Sequence, residues 1–186
     1  MEILSSPKSS PARERILQTA RKLFYQDGIR ATGVDRLIAE SSVTKTTFYR
    51  HFKSKNNLII AYLEQRDKRL LETLREGLQH HGGGVGAIVL TFKDWFESDN
   101  FRGCAFLNSV AEIGDILPEV IEITQRHKRE IANLLETVLP QSDNRPEIAM
   151  TLAMAIDGAT VRAQYDQNST SAVQLLETII RSVVAE

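Results

Sequence analysis

The run from Val43 to Lys55 holds two phenylalanines one helical turn apart and no carboxylate. At about 100° per residue, Phe48 and Phe52 fall on one side of a short helix, the i, i+4 spacing of side chains that bury together. Lys45, Thr46, Tyr49, Arg50 and Lys53 fall on another side. A solvated helix face usually mixes both signs, so a face free of acid suits a polyanion. The run is therefore expected to form a helix that reads DNA, with the rest of the chain built to present and move it.

The neighbouring residues supply the frame for such a helix. Ser10-Pro11 opens a first helix, with serine as N-cap and proline at the first helical position. Ile16, Leu17, Ala20, Leu23 and Phe24 form its apolar stripe, and Gly28 is expected to end it. Thr32-Gly33-Val34-Asp35 reads as a capping-box start for a shorter second helix, with Leu37 and Ile38 facing inward and Ser41-Ser42 breaking it. A third helix is expected from about Thr44 to Lys53. Two short helices joined by a tight turn form a helix-turn-helix.

Charge is divided accordingly. Through Lys55 the chain carries eleven Lys and Arg against five Asp and Glu, and the remainder carries twelve against nineteen. A basic head on an acidic body places any nucleic-acid contact in the first third. Cys104 is the one cysteine, which excludes an intramolecular disulfide and fits a reducing interior. The sequence shows neither an apolar run of about 18 residues nor a secretory h-region, so a cytoplasmic protein without a membrane partner is expected. No metal-ligand spacing or nucleophile motif occurs, so neither cofactor nor catalysis is expected.

Ser54 is expected to cap a long fourth helix reaching about Gln79, with Gly82-Gly83-Gly84 as its stop. That glycine cluster follows no strand and precedes no Gly-Lys-Ser/Thr, so it is not a phosphate loop. Apolar stripes then recur over 85–97, 104–114, 117–139, 146–165 and 171–185, with no period-two alternation. The expected fold is all-α with about nine helices. A mobile arm spans 1–9, a helix-turn-helix head 10–54, and a bundle for effector binding and dimerisation 55–186. Ser171-x-x-Gln174 reads as a capping box for the last helix. The preceding helix carries Ala149, Ala153, Ala155, Gly158, Ala159 and Ala163. Small residues admit a close neighbour, and these two helices are expected to pair with their copies in a homodimer.

The order of elements, Thr32-Gly33-Val34-Asp35, Ile38-Ala39-Glu40 and the whole run Val43 to Lys55 resemble the TetR family of bacterial transcriptional regulators. The Phe48-Tyr49-Arg50-His51-Phe52 string followed by Ser54-Lys55 is the most specific part. Arg102 to Asn108 and Asp157-Gly158-Ala159 resemble some family bodies more weakly. The chain departs from the family's usual Ala-Gly in the turn, having Ser41-Ser42. If position 42 needs a positive φ, serine costs on the order of 1 kcal/mol there.

The resemblance implies a ligand-responsive DNA-binding regulator, most simply a homodimeric repressor on a palindromic operator released by a small molecule. The alternative is control by a protein partner through the helical body. Carried over, Lys45, Thr46 and Thr47 start the recognition helix, with Lys45 suited to guanine and the threonine methyls to thymine. Tyr49, His51 and Lys55 match DNA-backbone positions, Arg50 lies on the exposed face, and Gly33 would let phosphate approach the second helix. Among the body helices, Trp95, Phe96, Phe101, Phe106, Asn108, Glu112, Met150, Met154 and Tyr165 are candidate effector contacts, and core packing explains the aromatics and methionines equally well. Cys104, Asn108 and Glu112 share one face by their spacing, and Cys104 is a candidate reactive thiol.

Overall fold

A computed structural model describes residues 10–184, so the arm expected at 1–9 lies outside the described residues. Among the described residues the chain is all helical, with nine helices and no strand. It divides between Glu64 and Gln65 into two compact units.

In the first unit, α1 (Pro11–Gln26) starts where expected, the Ser10 Oγ accepting from the Arg13 N–H at 3.3 Å. Its apolar stripe is buried as the spacing requires, and Asp27 and Gly28 (φ 91°) close it. α2 (Val34–Glu40) departs from the expected capping box. Thr32 is fully buried and its hydroxyl donates back to the Gly28 carbonyl at 2.7 Å, so Gly33 is the N-cap and offers no side-chain bond. Threonine satisfies the turn before the helix, and α2 starts without a hydroxyl cap.

The turn after α2 resolves the question of position 42. Ser42 sits at φ 53°. Its N–H donates to the Ala39 carbonyl at 3.2 Å, and the Val43 N–H donates to the Ile38 carbonyl at 3.4 Å. These are the two bonds of a Schellman closure, whose left-handed residue is usually glycine. Ser42→Gly is expected to stabilise the protein by about 1 kcal/mol, seen as a higher denaturant midpoint at unchanged slope. An unchanged midpoint would mean the strain is relieved elsewhere.

α3 (Lys45–His51) is capped by Thr44, whose hydroxyl oxygen accepts from the Thr47 N–H at 3.1 Å. It is anchored by Phe48, fully buried, with Phe52 close behind at a ring distance of 6.3 Å. The first two turns of α4 (Lys55–His80) add Leu58, Ile59, Tyr62 and Leu63 to this core, Tyr62 meeting Phe24 edge-on at 5.4 Å. Each such side chain contributes about 1.5–3 kcal/mol by leaving water. That shared core explains why the division falls inside α4 rather than before it.

α4 is one unbroken helix of 26 residues, about 39 Å at 1.5 Å per residue. Gly82 (φ 93°) ends it through the same Schellman pair of bonds, from Gly82 to Gln79 and from Gly83 to Leu78. The second unit continues with α5 (Val85–Phe96), α6 (Ala105–Ile113), α7 (Glu119–Glu136), α8 (Arg145–Asp166) and α9 (Thr170–Val184). Leu74, Leu78, Ile88, Phe92, Leu135, Leu152, Ile156, Leu176 and Ile180 interlock at its centre. α9 begins at Thr170, not at the capping box expected from Ser171. Ser171 lies inside the helix and its hydroxyl accepts from Arg162 Nε at 2.9 Å, while Asn168 Oδ1 accepts from the Thr170 N–H. No helix among the described residues is long and apolar enough to cross a membrane.

Candidate nucleic-acid interface and the interior of the body

α3 separates its two faces cleanly. Phe48 is fully buried, whereas Lys45, Thr46 and Arg50 are exposed and Tyr49 is 42% exposed. The Tyr49 ring leans edge-on against Phe48 at 5.3 Å, which steadies it against a buried support. Thr47 is half-buried and tied to the Thr44 hydroxyl at 2.9 Å, so its role includes capping. No carboxylate lies on the helix, and its N-terminal turn carries the positive end of the peptide dipoles.

The other residues expected at DNA are placed less simply. Gly33 is exposed at the start of α2, and a methyl added there would meet nothing within 4 Å among the described residues. Its φ of −78° is one any residue adopts, so the glycine leaves room rather than permitting a turn. His51 is half-buried, its Nε2 3.2 Å from the Ser10 hydroxyl at the start of α1. Lys55 donates from Nζ to the Ile29 carbonyl at 2.6 Å, binding α4 to the loop after α1. Arg13 lies over the Phe52 ring at 5.1 Å, a cation–π contact that sequence spacing did not reveal.

The body scatters the residues expected around an effector. Trp95, Phe96 and Phe101 form an aromatic knot with ring distances of 5.3–5.6 Å. Phe106 is fully buried and stacks on His127 at 3.8 Å and 17°. Asn108 is half-buried and donates to the Arg102 carbonyl at 3.0 Å, and Glu112 is half-buried on the same helix. Met150, Met154 and Tyr165 are 68%, 71% and 61% exposed. Their spacing carries these three along the outer face of α8.

A cavity of about 10 Å³ does lie inside the body, bordered by Leu70, Leu74, Phe92, Trp95, Cys104, His127, Lys128, Ile131, Ile156, Asp157 and Thr160. Only Trp95 among the expected contacts reaches it. Its polar side is a network that sequence reasoning missed. His127, fully buried, donates from Nδ1 to Asp67 Oδ1 at 2.7 Å. Lys128 bridges the Asp157 carboxylate and, at 3.6 Å, the Cys104 sulfur. Burial, then the charges of Lys128, Arg66 and Arg126, push the His127 pKa down to about 3, so its ring is neutral at pH 7. Among the described residues His127 Nε2 has no hydrogen-bond partner, and an unsatisfied buried group costs about 1–3 kcal/mol. The cue available was slight: His127 and Asp67 are 60 positions apart and only packing joins them.

Among the described residues, an all-helical arrangement with a capped, acid-free helix after a tight turn has the geometry of the helix-turn-helix class. A family model for bacterial regulatory proteins of the tetR family matches residues 16–62. The solved structure of SCO4454, a TetR-family transcriptional regulator from Streptomyces coelicolor, superposes with a TM-score of 0.80 at 32% identity, covering 93% of this chain and 96% of that one. The transcriptional repressor NemR of Escherichia coli K12 is 26% identical over 132 residues, 68% of this chain and 66% of NemR. The regulator YerO of Bacillus subtilis is 38% identical over 113 residues, 61% of this chain and 39% of YerO. The matched segments thus span less than two thirds of both curated relatives. The chain belongs to the TetR family of bacterial regulatory proteins.

Proposed function

We propose that the protein is a homodimeric repressor that binds a palindromic operator and leaves it when a small molecule enters the body. The observation that carries the DNA half is α3 itself, with Lys45, Thr46, Tyr49 and Arg50 exposed on a face without acid. Lys45, at the first helical position, reaches base edges, and the flanking Tyr49, His51 and Gly33 backbone take phosphates. Lys45→Ala is expected to reduce discrimination at one base pair by about 1–3 kcal/mol. The measurement is titration of the variant against single-base changes in a fragment that the wild type retards. Uniform weakening on all those fragments would make Lys45 a phosphate contact, and no retardation of any genomic fragment by the wild type at low salt would end the proposal. Lys55 is a poorer probe, because losing its bond to Ile29 disturbs the head as well as any phosphate contact.

Dimerisation is supported by Met150, Met154, Val161 and Tyr165, spaced four, seven and four on the outside of α8, with Leu175 and Ile179 exposed on α9. Exposed apolar stripes on consecutive helices match the self-complementary face of a two-fold pair. Release is supported by the continuity of α4. Its first turn carries Lys55, and its later turns carry Asp67, Leu70 and Leu74 beside the cavity and its network. A ligand that prefers a parted cavity shifts that helix by its difference in affinity for the two arrangements. Control by a protein partner has one observation in favour, an open apolar cleft of about 800 Å³ between α5 and α9 along Val89, Leu90, Val173 and Ile180.

A further inference from the structure

Of the described buried polar side-chain atoms without a partner, His127 Nε2 is the one whose residue lines the cavity. Its chemistry is decided by the other ring nitrogen. A carboxylate only accepts, so the 2.7 Å contact with Asp67 makes Nδ1 the protonated nitrogen and leaves Nε2 a bare lone pair. Phe106 covers one face of the ring and holds its direction.

We propose that this cavity is the inner end of the effector site and takes an uncharged molecule of the phenol class, its hydroxyl donating to His127 Nε2 and its ring lying along Trp95. The inference rests on the small-molecule reading above and names its ligand chemistry. A charged ligand is disfavoured because the cation and the carboxylate that line the cavity, Lys128 and Asp157, already pair with each other. At about 10 Å³ the cavity holds one water at most. A ring therefore enters only by parting α4 from α7 and α8, which links occupancy to movement of α4.

The test uses the full chain with ¹⁵N-labelled histidine, titrated with phenol, with anisole (the same ring without a donor) and with benzoate. The expected result is an unprotonated Nε2 resonance for His127 that moves saturably with phenol, at a half-saturation at least tenfold below that of anisole or benzoate. In a parallel thermal-shift series, phenol raises the Tm of the wild type and not of His127→Asn. Should that variant fail to fold, the wild-type resonance alone decides. A protonated Nε2, equal binding of anisole, preference for benzoate, or no response to any probe (a water site only) would each overturn the proposal. DNA release is measured separately: phenol bound with the operator complex intact would refute release by this ligand while leaving the site standing.

Discussion

Phe48→Ala is expected to cost about 3–5 kcal/mol of stability and to abolish operator retardation at concentrations that fully shift the wild type. Phe48 is fully buried, touches Tyr49 and Phe52 ring to ring, and is the one buried anchor on α3. A seven-residue helix has too few internal bonds to persist alone. Removing its anchor therefore releases Lys45, Thr46 and Arg50 from a common face. Urea unfolding gives the first quantity and gel retardation the second. Phe48→Leu, which keeps most of the volume, should recover both in large part. Full affinity in the alanine variant would show that α3 is held by something other than this ring.

The second large effect is on acid stability. His127 has a folded pKa of about 3 against about 6.5 when unfolded. Between these values the unfolded chain binds a proton that the folded chain refuses, so stability present above pH 6.5 is lost as pH falls. From pH 7 to pH 5 this one group should remove about 2 kcal/mol. His127→Asn, which keeps a donor toward Asp67 but does not titrate, should show a stability-versus-pH slope shallower by that amount. The absolute stability of the variant is immaterial, since the slope carries the result. Parallel slopes would mean that the buried imidazole accepts its proton in the folded state after all.

Both predictions concern buried rings, yet they differ in how visible they were. Phe48 and Phe52 announce themselves by an i, i+4 spacing inside a run without acid, because local periodicity and charge are written in neighbouring residues. The helix cap at Ser10 is legible for the same reason. The two misplaced starts, at Thr32 and Ser171, show the limit of that logic. Each hydroxyl can serve a helix N-terminus, but Thr32 was taken by a turn carbonyl and Ser171 by Arg162 from the neighbouring helix. A short polar side chain has several partners within reach, and only the packed arrangement selects one.

Ser42 is an intermediate case. The departure from glycine is plain in the sequence, and its cost depends on a backbone angle, 53°, that the fold alone supplies.

What the residues determined by themselves is the all-helical character, the head with its cationic helix and the length of α4, all set by interactions within a few turns. The tertiary structure alone decided which face of α8 turns inward. Met150, Met154 and Tyr165 lie outside, while His127 and Asp67 are buried together and Lys128 and Asp157 pair half-buried beside them. α8 carries apolar or small residues around much of its circumference, so periodicity does not choose its buried side. That choice is made by close packing against α7 and α9, a property of several segments at once.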